Sequence, residues 1–93
     1  MRPYRLRVSA ALEDLVRGLH PALKGKVRAG LDLIRTTPEA GKALRDELAG
    51  LRSLRVGGFR IVYRVSPRRL IELIAIGPRR TIYKETLRLL RRR

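Results

Sequence analysis

Apolar residues recur along this chain with two different periods, and the change from one to the other comes near Leu51. From residue 10 to residue 34 they fall three and four apart: Leu12, Leu15, Val16 and Leu19, then Leu23, Val27, Leu31 and Ile34. That spacing lines one face of a helix. Ser9 offers an N-cap to the first run, Pro21 a first helical position to the second, and Thr37-Pro38 a stop. Two antiparallel helices are therefore predicted, over about 10–19 and from Pro21 to Thr37. Ahead of them Tyr4, Leu6 and Val8 alternate with Arg5 and Arg7, which predicts an edge strand.

Beyond Leu51 the period is two. Gly57-Gly58 separates two alternating runs, a local hairpin signal, because a two-residue primed turn needs positive φ and glycine adopts it without steric cost. That turn sets a register in which Val56 faces Phe59, Arg55 faces Arg60, Leu54 faces Ile61, Ser53 faces Val62 and Leu51 faces Arg64. One face then carries Leu54, Val56, Phe59, Ile61, Tyr63 and Val65, a core surface; the other carries Ser53, Arg55, Arg60, Val62 and Arg64. A second turn at Pro67-Arg68 brings back Leu70 to Ile76 as a third strand, with Ile71, Leu73 and Ala75 beside the arginines and Arg79 continuing on that side. Glu39 to Gly50 reads as a polar connector with one helical turn around Ala43 to Leu48. Tyr83, Leu87 and Leu90 mark a last helix before three terminal arginines. The order β-α-α-β-β-β-α predicts an α+β fold, a single domain over residues 1–93: an antiparallel sheet with the two N-terminal helices on one face and a short C-terminal helix.

Charge changes the picture of that sheet. The net charge is +15, and it is unevenly spread: residues 1–50 hold ten Lys and Arg against six Asp and Glu, residues 51–93 thirteen against two. The surplus sits on the predicted sheet and tail. Like charges directly opposed in a sheet are mildly destabilising, so the Arg55–Arg60 pair fits a surface meant for an anion; a solvated face whose arginines only confer solubility fits the pattern as well. A surface this cationic favours nucleic acid, a ribonucleoprotein or an acidic protein as partner. No apolar run approaches the roughly 20 residues that span a bilayer, and no basic helix with a bulky aromatic face suggests a membrane surface. With no cysteine and no signal-peptide apolar region, the expectation is a soluble intracellular protein.

Other candidate chemistry is thin. His20, the only histidine, stands before a helix-starting proline and reads as a cap or surface residue. Asp46-Glu47 reads as solvated helix-end charge, and no metal site is expected. Gly18, Gly25 and Gly30 lack the spacing of a phosphate loop.

Three stretches in order carry a resemblance: Leu44-Arg45-Asp46-Glu47-Leu48-Ala49-Gly50-Leu51, then Leu54-Arg55-Val56-Gly57-Gly58-Phe59-Arg60-Ile61-Val62-Tyr63-Arg64-Val65, then Ile76-Gly77-Pro78-Arg79-Arg80-Thr81-Ile82-Tyr83. With them the chain resembles the RelE/ParE superfamily of type II toxin-antitoxin toxins, the RelE side in particular, over essentially its whole length. The resemblance implies a RelE-like, microbial ribonuclease-type fold. It also implies a metal-independent mRNA endonuclease that works in the ribosomal A site, where the substrate's own 2′-hydroxyl attacks the adjacent phosphate, and that needs no cofactor. By position, Arg60 would hold the scissile phosphate, Arg79 would stabilise the transition state or assist the leaving group, and Tyr83 would orient or stack on the mRNA and share in proton transfer. Arg55, Arg64, Arg80 and Lys84 are candidate RNA contacts. The best-known members carry lysines on the first hairpin strand, as base or electrostatic support, where this chain has Leu51 and Ser53, and relatives with different residue sets still act as nucleases. The implied partners are an acidic antitoxin, the ribosome and mRNA, with no membrane, in the cytoplasm. Two alternatives share the fold: a ParE-like inhibitor of DNA gyrase, and a non-catalytic basic nucleic-acid-binding module.

Overall fold

A computed structural model describes residues 2–92; Arg93, the last of the three terminal arginines, lies outside the described residues. The elements are β1 (Arg5–Arg7), α1 (Ala10–Arg17), α2 (Pro21–Thr36), β2 (Lys42–Ala43), β3 (Arg52–Val56), β4 (Phe59–Ser66), β5 (Leu70–Pro78) and α3 (Ile82–Arg91), with 3-10 turns at Pro38–Ala40 and Asp46–Leu48. Local chemistry sets the helix starts. Ser9 Oγ accepts from Leu12 N–H at 3.2 Å, and His20 Nδ1 accepts from Ala22 N–H at 3.2 Å with Pro21 at the first helical position. The lone histidine is thus a cap.

The β3–β4 register is the one the glycine turn dictates: Val56 pairs with Phe59, Arg55 with Arg60, Leu54 with Ile61 and Ser53 with Val62. Gly57 has φ +61, a conformation that costs an L-residue roughly 1 kcal/mol or more. The five strands lie in the order β1-β5-β4-β3-β2. Two features depart from expectation. The connector after α2 contains β2, which pairs antiparallel with β3, and β1 runs parallel to β5, so the sheet is mixed.

A β-bulge decides the faces of β5. Val62 pairs with Ala75 but Tyr63 pairs with Leu73, leaving Ile74 as the extra residue. Ile71 and Leu73 therefore join the helix-covered core rather than the arginine side, while Ala75 stays beside the arginines. That core packs Val27 and Ile34 of α2 onto Val56, Ile61, Tyr63 and Ile76, with Leu12 and Val16 of α1 at its margin. Gly30 lets α2 approach closely, since a Cβ there would come within 2.7 Å of Val56 Cγ1. Val65, expected in this core, is 38% exposed at the far end of β4. On the opposite face a second apolar cluster of Leu51, Val62, Ala75 and Ile82 lies under α3, so the arginine face is half covered rather than open.

Tyr63 ties the sheet to the segment before β2. Its buried hydroxyl donates to Pro38 O at 2.6 Å and accepts from Gly41 N–H at 2.8 Å. Burial raises its pKa, opposed by the Gly41 hydrogen bond and the nearby Arg52 charge. Because the folded chain holds the phenolic proton beyond the unfolded value of about 10, the stability from this group is complete below that pH and declines above it. Tyr63→Phe should abolish that alkaline decline. It should also cost about 1–3 kcal/mol at neutral pH by leaving Gly41 N–H and Pro38 C=O unpaired. Denaturant melts of both proteins at pH 7 and 11 test this; a pair of curves separated by the same amount at both pH values would contradict it.

The β4–β5 turn is strained at Arg68 (φ +64) and Arg69 (φ +57). Arg69 is held there: its carbonyl accepts from Arg5 N–H at 2.9 Å and its guanidinium lies 4.5 Å from the centre of the Tyr4 ring. Arg68 is exposed. Arg68→Gly should therefore raise stability by about 0.5–1 kcal/mol, read as a higher melting temperature.

Candidate functional site

The second face of the sheet is built in rows. Cα partners run from Lys42 of β2 to Ser53 of β3, Val62 of β4 and Ala75 of β5 in one row, and from Arg55 to Arg60 to Gly77 in the next. Directly opposed residues project to the same side. Ser53, 2% exposed, sits at the junction: its Oγ accepts from Arg60 Nη1 at 3.3 Å and from the Tyr83 hydroxyl at 3.3 Å. A residue of β4 and one of α3 thus meet on one hydroxyl of β3. Arg60 and Tyr83 are both half-buried.

Helix α3 delivers Tyr83 because Ile82 and Thr86, one turn apart, are buried. The Thr86 hydroxyl is spent internally on Ile82 O at 2.7 Å. Tyr83 both packs against the second apolar cluster and reaches the polar junction. The turn between β5 and α3 is fixed by the hairpin. Arg79 N–H donates to Gly58 O at 2.9 Å and Thr81 N–H to Pro78 O at 3.1 Å, which seats Arg79 beside the Gly57-Gly58 turn with its side chain exposed.

The remaining predicted contacts do not all gather there. Arg55 is exposed one residue from the turn, and its Nε–H donates to Gly57 O at 3.5 Å. Arg64 lies at the other end of the face. Its guanidinium is 3.7 Å from Glu72 Oε1, which also accepts from Ser66 Oγ at 2.8 Å, while Arg7 reaches Oε2 at 3.3 Å. Arg80 and Lys84 are exposed, Lys84 on α3 beside Leu87, Arg88, Arg91 and Arg92. Among the described residues, no ion pair joins Lys42, Arg55, Arg60 or Arg79 to a carboxylate. The upper end of the face therefore holds uncompensated positive charge, and the lower end is partly neutralised.

A cleft of about 450 Å³ opens beside this junction, lined by Lys42, Leu44, Arg45, Asp46, Leu48 and Tyr83. Its lining joins two cations and one aromatic ring to a carboxylate and apolar side chains, so a nucleotide could set phosphate oxygens on the cations and a base against the ring. Lys42 was invisible in the sequence, since a two-residue strand shows no periodicity. Ser53 was placed on the correct face, but nothing local marked it as a junction.

The model of the ParE toxin of type II toxin-antitoxin systems matches residues 4–83. No curated protein matches the sequence. Among solved structures, the RelBE2 toxin-antitoxin complex of Mycobacterium tuberculosis contains a chain 29% identical, with a TM-score of 0.69, covering 85% of this chain and 94% of that one. The intact RelBE complex of E. coli gives 25% identity and a TM-score of 0.66, covering 81% and 95%. A free mutant of E. coli RelE gives 22% and 0.72 over 97% of each chain, a likeness of fold.

Proposed function

The chain belongs to the ParE toxin family within the RelE/ParE superfamily of type II toxin-antitoxin toxins, and from that membership we propose that it cleaves mRNA on the ribosome and so stops translation. The observation that carries this reading is the meeting of Arg60 and Tyr83 on Ser53 Oγ, beside a basic cleft and within reach of the turn that holds Arg79.

The chemistry follows from the substrate. The 2′-oxygen of one nucleotide forms a bond to the adjacent phosphorus, the phosphorus–O5′ bond breaks, and the products are a 2′,3′-cyclic phosphate and a 5′-hydroxyl. The proton lost from O2′ is balanced by one gained at O5′. Negative charge grows on the non-bridging oxygens along this path, so fixed guanidinium groups lower the barrier. Arg60, half-buried and aimed by Ser53, would hold those oxygens. Arg79, at the chain reversal, would face the leaving O5′, and Tyr83 would stack on a base and steady the attacking ribose. Arg55, Arg80 and Lys84 would contact flanking phosphates. The likeness to toxins crystallised with RelB-type antitoxins supports an antitoxin partner. An acidic, partly disordered segment folding over Arg60 and Arg79 fits the charge. A cytoplasmic site of action accompanies this reading.

A gyrase-binding toxin is the second reading, favoured by the ParE family model. One experiment separates them: a purified translation reaction with and without the protein, with mRNA 5′ ends mapped by primer extension, run beside a gyrase supercoiling assay. New ends inside the A-site codon that require ribosomes support cleavage. Intact mRNA with inhibited supercoiling moves the protein to gyrase. Inhibition of neither leaves a basic binding module and ends both readings.

A further inference from the structure

We infer that Lys42 is a catalytic residue of the proposed cleavage, its ammonium placed against the scissile phosphate by the short edge strand β2. This deepens the nuclease reading and rests on it. The register makes Lys42 the direct partner of Ser53, so the two side chains leave the same face of the sheet with Cβ atoms about 4.5–5.5 Å apart. Ser53 Oγ is the atom on which Arg60 and Tyr83 converge. Lys42 and Tyr83 also line the same cleft, together with Arg45 and Asp46, so a nucleotide bound there would meet both the ammonium and the phenol ring.

The strand that carries Lys42 is held more firmly than its two residues suggest. Leu44 N–H donates to Leu51 O at 2.9 Å just past β2. Ahead of it, Gly41 N–H and Pro38 O are clamped by the Tyr63 hydroxyl, and Gly41 O accepts from Arg52 Nη1 at 2.8 Å. These contacts come from the hairpin and the residue just before it, so the element that aims Arg60 also fixes the backbone of Lys42. The side chain itself is exposed and free of any ion pair among the described residues. A long-stemmed point charge on a fixed backbone suits contact with a phosphate oxygen that gains charge as O2′ attacks. The ammonium keeps its proton throughout; it stabilises charge and transfers nothing.

The test uses the full chain on ribosomes programmed with a single A-site codon, under single-turnover conditions. Lys42→Ala should lower the maximal cleavage rate roughly 10- to 30-fold. The protein concentration at half-maximal rate, and the affinity for ribosomes carrying a 2′-deoxy residue at the scissile position, should change less than about threefold, because the charge matters most in the transition state. Lys42→Arg should recover the rate to within about threefold. Lys24→Ala removes an equal charge from α2 on the other side of the sheet and should stay within about twofold of the parent. The inference is overturned if Lys42→Ala cuts at the parental rate, if affinity falls as far as rate, or if Lys42→Arg is as slow as Lys42→Ala. Failure of the parent to cut at all would end the nuclease reading itself, a result separable from these.

Discussion

Replacing Arg60 by alanine is expected to lower the rate of mRNA cleavage about 100- to 1,000-fold while leaving the protein folded. The rate effect follows from what the side chain does. A guanidinium held half-buried on β4 by Ser53 Oγ has its direction fixed before substrate arrives, and removing one such preorganised donor from a developing oxyanion costs about 2.7–4 kcal/mol of barrier. The fold should tolerate the change, because two effects oppose. The Ser53 hydrogen bond is lost, worth roughly 1 kcal/mol, but the like-charge pairing with Arg55 across the hairpin is relieved, worth up to about 1 kcal/mol. Arg60→Lys should recover little, since an ammonium does not reproduce the planar fork that can bind Ser53 and a phosphate together. Single-turnover cleavage on programmed ribosomes, paired with thermal melts, measures both sides. A variant that melts like the parent and cuts at the parental rate would remove Arg60 from the mechanism.

Gly41→Ala should damage both stability and activity, although Gly41 lies on the flank of the sheet. A Cβ at this position would stand 2.5 Å from the Tyr63 hydroxyl and 2.8 Å from Cε1 of its ring. Tyr63 is fully buried and cannot swing aside, so either the ring or the Pro38–Gly41 segment must move. In either case the hydrogen bonds of the Tyr63 hydroxyl are strained or broken. Overpacking of this kind costs about 1–3 kcal/mol, and a buried group left unpaired about 1–3 more, for an expected loss of roughly 2–6 kcal/mol. The displaced segment leads directly into β2, so Lys42 should move with it and cleavage should fall even at temperatures where the variant is folded. Chemical denaturation together with cleavage assayed well below the melting temperature checks both. A variant as stable as the parent would mean that the segment relaxes freely and that Tyr63 is no clamp.

How much of this was legible beforehand differs by element. The helices were readable because their signals are short-range: Ser9 and Pro21 at the starts, and three- and four-residue spacing between them. The β3–β4 register was equally plain, since Gly57 fixes the turn and alternation then carries every partner. Arg60 came out on the face opposite the helix-packed core for that reason alone. The third strand was only half right. Its pairing with β4 is as expected, but the count fails at Ile74, where a bulge places both Ile74 and Ala75 toward α3 and sends Leu73 into the helix core. No residue type near Ile74 announces a bulge.

What the sequence alone determined is everything held by contacts within a few residues: where helices start, where the hairpin turns, which hairpin residues share a face, and the surplus of positive charge on the second half of the chain. What only the tertiary structure decided is which of those charges act together. Glu72 gathers Arg7 and Arg64 at one end of the sheet, while Arg60 at the other has no carboxylate partner among the described residues, an assignment made across strands far apart in sequence. Helix α3 covers the arginine face just enough to bring Tyr83 to Ser53. Lys42 enters the site through a two-residue strand that exists because β3 offers it an edge and Tyr63 anchors the chain before it. Short-range patterns carry no information about such meetings, because their free energy arises only when segments distant along the chain are already packed against one another.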